Sequence, residues 1–440
     1  MPPLVRDRVT LLTYAQLGLW GFFLYGFGPV VPLLRDEQGT TAAVASLHST
    51  GLAVGALLGA SAFPWLAGRL GRGGVLWLAL AGLAVAVGVL GAFEVLPATL
   101  TAAVLAATFG TMVVSGVNAA LADQHGAGAT AAISEANAVA AGAGVVAPIV
   151  IGLSVSAGLG WRPGIAVVVG LIALVFAANL LFRVRLPSSA AAPAVVSAGR
   201  PLPRTYWLAW AMLAATGSVE VCLSLWAADV LRTHAGMAPG AASATVAAIV
   251  GGMFAGRLVG SALARRVAAV PLLLGALAVS VVGFAIFWLS AVPWAAAVGL
   301  MVLGVGNAMH YPLGVSLALA VAEGQRDRAS AYSMYSGAIG FGVAPVVLGW
   351  VADEVGPHRA FLLLPAFIAV AAVLAVRLRR AHSAAVPDLA GGGPLVDGGP
   401  SSGGGPLVGS PVADGGLPLG GGQLAGGSPG DGRPAGGGGL

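Results

Sequence analysis

The sequence predicts an all-α membrane protein of twelve transmembrane helices in two pseudo-symmetric six-helix bundles, and three observations lead there. Of its 440 residues 58% are hydrophobic and 8% are charged, with a mean hydropathy of +0.92, whereas a soluble domain carries about 25% charged residues. The apolar runs hold almost no charge and are long enough to cross ~30 Å of hydrocarbon at about 1.5 Å per residue. A shift of 197 residues also lays like on like. Gly55 and Gly59 fall on Gly252 and Gly256, and Ala147, Pro148 and Gly152 fall on Ala344, Pro345 and Gly349, as expected of a parallel repeat of six helices.

The chain opens MPPLVRDRV and runs into an apolar stretch too long for a signal-peptide core and without a small-residue cleavage pattern, so this stretch is expected to be the first spanning helix. Runs bounded by Arg, Asp, Gly or Pro place helices at 9–34, 42–67, 73–93, 96–122, 131–157 and 162–182. Leu186 to Pro203, with Pro187, Arg200 and Pro201, reads as a loop on the membrane surface, because Pro and small polar residues punctuate helices. It divides an N-terminal bundle (residues 1–185) from a C-terminal one (204–380). The second set of helices is expected at 205–229, 241–263, 268–290, 293–320, 332–353 and 358–378. Residues 381–440 are mostly Gly, Pro, Ser and Ala in GGGP-like blocks. They hold too few large side chains to offset the entropy of ordering and are expected to form a disordered tail.

All 21 basic residues are Arg. With the N-terminus inside, the predicted inner segments up to the last helix hold fifteen of them and the outer loops four, Arg35, Arg162, Arg232 and Arg359. The positive-inside rule then puts both termini in the cytoplasm. The net charge of +5 is scattered one or two residues per loop and forms no stripe, so no nucleic-acid partner is expected. The one cysteine, Cys222, lies in an apolar segment and cannot form an internal disulfide or a Cys-based metal site. Asp123 with His125, and Asp353 with His358, lack metal-ligand spacing and read as loop residues, so no metal or other cofactor is expected. A chain without Lys has no GxxxxGKS phosphate loop, and its energy must come from gradients.

Few ionisable residues fall inside the predicted spans, among them Glu135, Glu220, Arg257 and His310. A central charge costs about 2.5–3.5 kcal/mol to insert, so such residues face the bundle interior, pair, or line a path. Glu220, about fifteen residues into the seventh helix, is a candidate proton or substrate site, with a permanently bonded structural carboxylate as the alternative. Arg257 lies about 12 Å from the inner end of its helix, counted to Arg265, and Glu135 is expected at a comparable depth in its own, although Arg257 could instead extend to cytoplasmic water. Asn307, His310 and Tyr311 make a polar cluster before Pro312 in the tenth helix. Tyr25, Asn137 and Trp226, with Gln16 and Tyr332, could add polar or aromatic lining.

The loop after the second helix carries the clearest likeness to a known family. There Pro64 to Gly73 meets the pattern GxLADRxGRK of the major facilitator superfamily, matching it at Leu66, Ala67, Arg69, Gly71 and Arg72; the first Gly, the Asp and the last basic residue are lost. The chain resembles this family over about residues 9–380. In the family the Asp, here Gly68, helps latch the cytoplasmic ends of the two halves, and helices 5 and 8 are neighbours across them. The resemblance therefore implies that an ion pair between Glu135 and Arg257 replaces the latch as a gate. It also gives Pro148 and Pro345 a role in bending the Gly-rich fifth and eleventh helices, since Pro removes a backbone donor; the glycines alone are equally explained by close helix packing.

What the resemblance implies is a monomeric secondary active transporter in the plasma (cell inner) membrane. It would move a small organic solute by alternating access, coupled to protons. A membrane-embedded enzyme and a non-transporting receptor or structural protein are the alternatives, and no clustered catalytic groups support the enzyme. Sparse intramembrane charge disfavours a strongly ionic solute such as a sugar phosphate. It leaves neutral sugars, amino acids, weak acids and hydrophobic drugs open.

Overall fold

Water is absent from a bilayer core, so every backbone polar group there must be satisfied within its own segment, which a helix does. The computed structural model describes residues 6–184, 201–322 and 325–385, and among them every regular element is helical. Among the described residues eleven helices are long and apolar enough to cross a membrane. One of them, Ala42–Ala92, has 51 residues, about 76 Å at 1.5 Å per residue, and cannot be a single span. It turns at Gly71, where φ is 71° and ψ 160°, and so supplies two spans and a total of twelve.

In chain order the spans are α1 (Arg8–Gln38), α2 (42–70), α3 (72–92), α4 (Leu96–His125), α5 (Ala129–Ser156) and α6 (Arg162–Phe182), then α7 (Arg204–Thr233), α8 (Pro239–Ala264), α9 (Ala269–Leu289), α10 (Pro293–Ala320), α11 (Arg326–Val355) and α12 (Leu363–Ala385). The order matches the expected one, and α12 runs on through 381–385, residues expected in the tail. Of the expected loop, residues 186–200 lie outside the described residues, as does the tail from 386 onward.

Local chemistry sets the ends. Asp7 caps α1 by accepting from the Thr10 amide at 2.9 Å, which satisfies one of the free N–H groups of the first turn. Burial alone would raise the Asp7 carboxyl, but its bonds from Thr10 and Gln124 outweigh that and hold it below the usual carboxylate range. Gly39, in the left-handed region, closes the other end of α1. Inside α10 the helix is interrupted at Ala308 and Met309, because Pro312 has no N–H to offer the Ala308 carbonyl. At Gly71 the φ/ψ pair is one that only glycine adopts without strain. Gly71→Ala is expected to destabilise the protein by about 1–3 kcal/mol, seen as a lower unfolding midpoint in detergent; an unchanged midpoint would show that the turn can relax.

The 197-residue repeat reappears as contacts. Gly55 of α2 lies against Val104 and Thr108 of α4, and Gly252 of α8 lies against Met301 and Val305 of α10, residues one repeat further on. Gly59 meets Thr108 and Thr111, and Gly256 meets Val305 and Ala308, again one repeat apart. A Cβ added at any of the four would come within 2.5 Å of a neighbouring carbonyl oxygen. Small residues let these backbones approach without the hydrophobic drive that water supplies. Between the halves, α1 packs on α7, α2 on α11 and α5 on α8. At the last two seams Gly349 meets Ala42 and Ala43, and Gly152 meets Gly240 and Ala244.

Candidate functional site

At the end away from the N-terminus the halves are held by charge. Arg35, near the end of α1, donates through both terminal nitrogens to the Asp229 carboxylate of α7 at 2.7 and 3.1 Å. Arg232 of α7 donates back to Asp36 of α1 at 2.6 Å, and Arg35 also bonds Asp36 at 2.8 Å. The four charges alternate in sign, so each has an opposite neighbour. Asp229 is 1% exposed, and a two-pronged guanidinium pairing is the geometry that offsets the loss of water there. Arg35 also sits over the Trp226 ring at 5.5 Å, and the Trp226 indole donates to Ser46 of α2 at 3.1 Å. Across the α2–α11 seam the Asp353 carboxylate accepts from the Ala42 and Ala43 amides at 2.7 and 3.0 Å. Ser49 and Thr50 donate to the Phe341 and Gly342 carbonyls, both at 2.6 Å.

Towards the other end this seam parts. Two turns beyond Gly342 on the same face of α11, Tyr335 is 52% exposed, and three turns beyond Ala53 of α2, Pro64 is exposed. Between the seal and this opening lies a cavity walled by both halves, with Tyr25 from α1, Leu52 from α2, Glu220, Ser224 and Leu225 from α7, and Phe341 from α11. The Tyr25 ring occupies the space over Gly144 of α5, where a Cβ would fall 2.3 Å from it. Arg257 of α8 faces the Tyr25 hydroxyl and acts on Glu220 by charge. Tyr311 of α10 lies within the field of the same carboxylate. Glu220, Tyr25, Arg257 and Tyr311 thus converge from four helices.

Other residues singled out in the sequence lie elsewhere. Asn307 and His310 are each 1% exposed inside the second half, where the Asn307 amide reaches the Met253 sulfur at 3.8 Å and the His310 ring meets the Ser280 hydroxyl at 3.2 Å. Trp226 belongs to the seal. Asn137 donates to the Ile133 carbonyl of its own helix at 2.9 Å. Pro148 and Pro345 are buried within helices that continue through them.

The Glu135–Arg257 ion pair is not made. Glu135 instead takes two bonds from Arg6, at 2.9 and 2.6 Å, and one from the Tyr14 hydroxyl at 3.1 Å, all within the first half. The hydrogen bond to Glu135, together with its charge, holds the Arg6 guanidinium above its usual range. Helices α5 and α8 are neighbours as expected, and their tight glycine contact, Gly152 on Gly240, lies at the sealed end, far along α5 from Glu135.

In the family-like loop, Ala67 is fully buried, Leu66 half-buried, Arg69 lies over the Trp65 ring at 4.1 Å, and Gly71 makes the turn. Arg72 bonds the Ala119 carbonyl at 3.3 Å and pairs with Asp123, tying the loop to α4. Asp123, His125 and Asp353 are in the last turns of α4 and α11, not in loops. His125 meets the Thr10 hydroxyl at 2.9 Å.

The seal was not read from the sequence, although a signal for it is present. The 197-residue shift that carries Gly55 onto Gly252 also carries Arg35 onto Arg232, each near an Asp at the far end of the first helix of its half.

The family description of the Major Facilitator Superfamily matches the chain twice, over residues 15–322 and 208–413. No curated protein sequence matches it. Among solved structures, a bacterial homologue of the human lysosomal transporter Spinster, in an inward-facing and occupied conformation, superposes with a TM-score of 0.69 at 15% identity, over 86% of this chain and 98% of that one. A D-xylose–proton symporter gives 0.67 at 15% identity, over 84% and 96%. A mutant of the nucleoside transporter NupG gives 0.66 at 14%, over 84% and 98%. At such identities the likeness is one of fold, and it agrees with the twelve spans and the repeated packing; with the family match running through both halves, the chain belongs to the major facilitator superfamily.

Proposed function

We propose that the chain is a secondary active transporter that carries a small organic solute by alternating access, coupled to protons. The observation that carries this reading is a cavity walled by both halves and sealed by charged side chains at one end, with the seam parted towards the other. The arginine distribution puts the N-terminal face in the cytoplasm, in the plasma membrane, so the sealed end is external and the structure faces inward. Rocking the halves about the cavity would break the seal and close the inner seam. Glu220 serves as the proton site, since it is the carboxylate on the cavity wall. The transporter works as a monomer and takes its energy from the gradient.

Proteoliposomes offered a mixed solute panel under an imposed proton gradient test this reading. Accumulation of one solute that stops when an ionophore collapses the gradient is the expected result. Movement of no solute in either direction would remove the transporter reading.

Glu135 has no part in the cycle on this reading. Its pair with Arg6 is exposed, with side-chain exposures of 60% and 34% for Arg6 and Glu135, and solvent-screened pairs of this kind contribute little. Glu135→Gln is therefore expected to lower uptake less than about twofold. A loss beyond tenfold in a variant that still folds would restore its gating role.

A further inference from the structure

Glu220 on the cavity wall and Arg257, which lies by the wall residue Tyr25, are not bonded to each other. Glu220 feels Arg257 through space, with no hydrogen bond between them. The guanidinium lies by the Tyr25 hydroxyl, and its buried Nε has no hydrogen-bond partner among the described residues. By contrast Arg35 makes two bonds to Asp229 and more to Asp36. A guanidinium left this way inside a membrane protein is costly unless something else completes it. Its planar fork fits a carboxylate by two parallel bonds, and the Tyr25 hydroxyl is placed to add a third. Apart from Ser224 the remaining wall, Leu52, Leu225 and Phe341 among it, is apolar and suits a small carbon skeleton. A single Arg suits one negative charge; a phosphate ester would call for more.

We propose that Arg257 anchors a small monocarboxylate, which moves together with one proton held by Glu220; this rests on the transporter reading above. Charge balance supplies the coupling. The empty cavity holds Arg257 positive and Glu220 negative. Adding a carboxylate leaves one uncompensated negative charge, and the cavity must pass through a state closed to water on both sides, where such a charge is most expensive. Protonating Glu220 restores neutrality, so acid and proton bind and leave as a pair. The groups that face Glu220 are Arg257 from α8, Tyr25 from α1 and Tyr311 from α10; none supplies a second negative charge at neutral pH.

The test uses the full-length protein in detergent, with binding read as ligand-dependent thermal stabilisation, and the same protein in proteoliposomes for uptake. The probes are lactate and benzoate, their amides lactamide and benzamide, and alanine. Both acids are expected to bind and the amides at least tenfold more weakly. Acid affinity should rise by up to about tenfold per unit fall in pH between 8 and 6, since binding takes up one proton, while the amides show no such slope. Arg257→Gln should abolish acid binding, and the milder Tyr25→Phe should weaken it about tenfold with folding intact. The wild-type comparison of acid with amide decides the matter even if Arg257→Gln misfolds. Amide binding equal to acid binding, unchanged acid binding in Arg257→Gln, or a flat pH dependence would overturn the proposal. Uptake of a neutral solute with no acid bound would overturn it while leaving the transporter reading intact, and no binding or uptake of any probe would remove both. Preference for alanine over lactate would place an ammonium, not a proton, on Glu220 and overturn the coupling proposed here.

Discussion

Asp229→Asn is expected to open the sealed end. The substitution keeps the shape of the side chain and removes its charge, leaving Arg35 and Arg232 to share Asp36. The Asn amide would also present N–H groups towards the Arg35 N–H groups that Asp229 now accepts from. Removing one partner of a buried pair costs about 3–5 kcal/mol because the other charge is left uncompensated. That cost falls on the sealed state alone, since in an open state Arg35 meets water, so the ratio of sealed to open should fall by about 100-fold or more. A thiol at the seam reads this: Ser49→Cys in a Cys222→Ala background, labelled by a membrane-impermeant reagent from the side away from the N-terminus. Ser49 bonds the Phe341 carbonyl across the seam, so the thiol is reached only when the halves part. Labelling should speed up about 100-fold with Asp229→Asn, and the double variant Asp229→Ala, Arg35→Ala should recover part of the seal because neither partner is left orphaned. Equal labelling rates with and without Asp229→Asn would mean that the glycine contacts of Gly152 and Gly349 close this end without help from charge.

The fold was legible because the bilayer leaves so few solutions: with water excluded, length and apolarity give the spans almost directly. Even the Gly71 turn falls between the expected second and third helices. The repeat was legible at glycines because close packing demands the same small residue in both halves, as at Gly55 and Gly252. Side-chain facing was not legible in the same way. His310 and Tyr311 are neighbours in the sequence, yet a 100° step around α10 sends one into the bundle against Ser280 and the other towards Glu220. Depth counted along the helices put Glu135 and Arg257 level, but Arg257 sits by Tyr25, whose ring lies over Gly144, nine residues along α5 from Glu135, and Arg6, from just before α1, reaches Glu135 instead. The seal escaped because its arginines were counted only as topology markers. Each has an Asp beside it on its own helix, but the cross pairs Arg35–Asp229 and Arg232–Asp36 exist only when the two halves are set side by side.

Glu220→Gln is expected to abolish gradient-driven accumulation and to spare exchange. The amide is neutral like the protonated carboxyl and nearly the same size, so the cavity wall of Tyr25, Leu52 and Phe341 keeps its shape. A loaded carrier would still be neutral, with the solute carboxylate against Arg257 and no charge at position 220, and could still rock between its two states. The empty carrier could not: Arg257 would be left as a lone positive charge in a cavity closed to water, which in the native protein Glu220 compensates. Exchange of labelled for unlabelled solute uses only the loaded form, whereas net uptake needs the empty form to return. With one proton per solute, a gradient of one pH unit, about 1.4 kcal/mol, supports up to about tenfold accumulation. The variant should stay at the inside-to-outside ratio of passive equilibrium while its exchange rate remains within a few-fold of the native rate. Loss of exchange together with uptake would assign Glu220 to solute binding instead of coupling, and full accumulation by the variant would place the proton on another group.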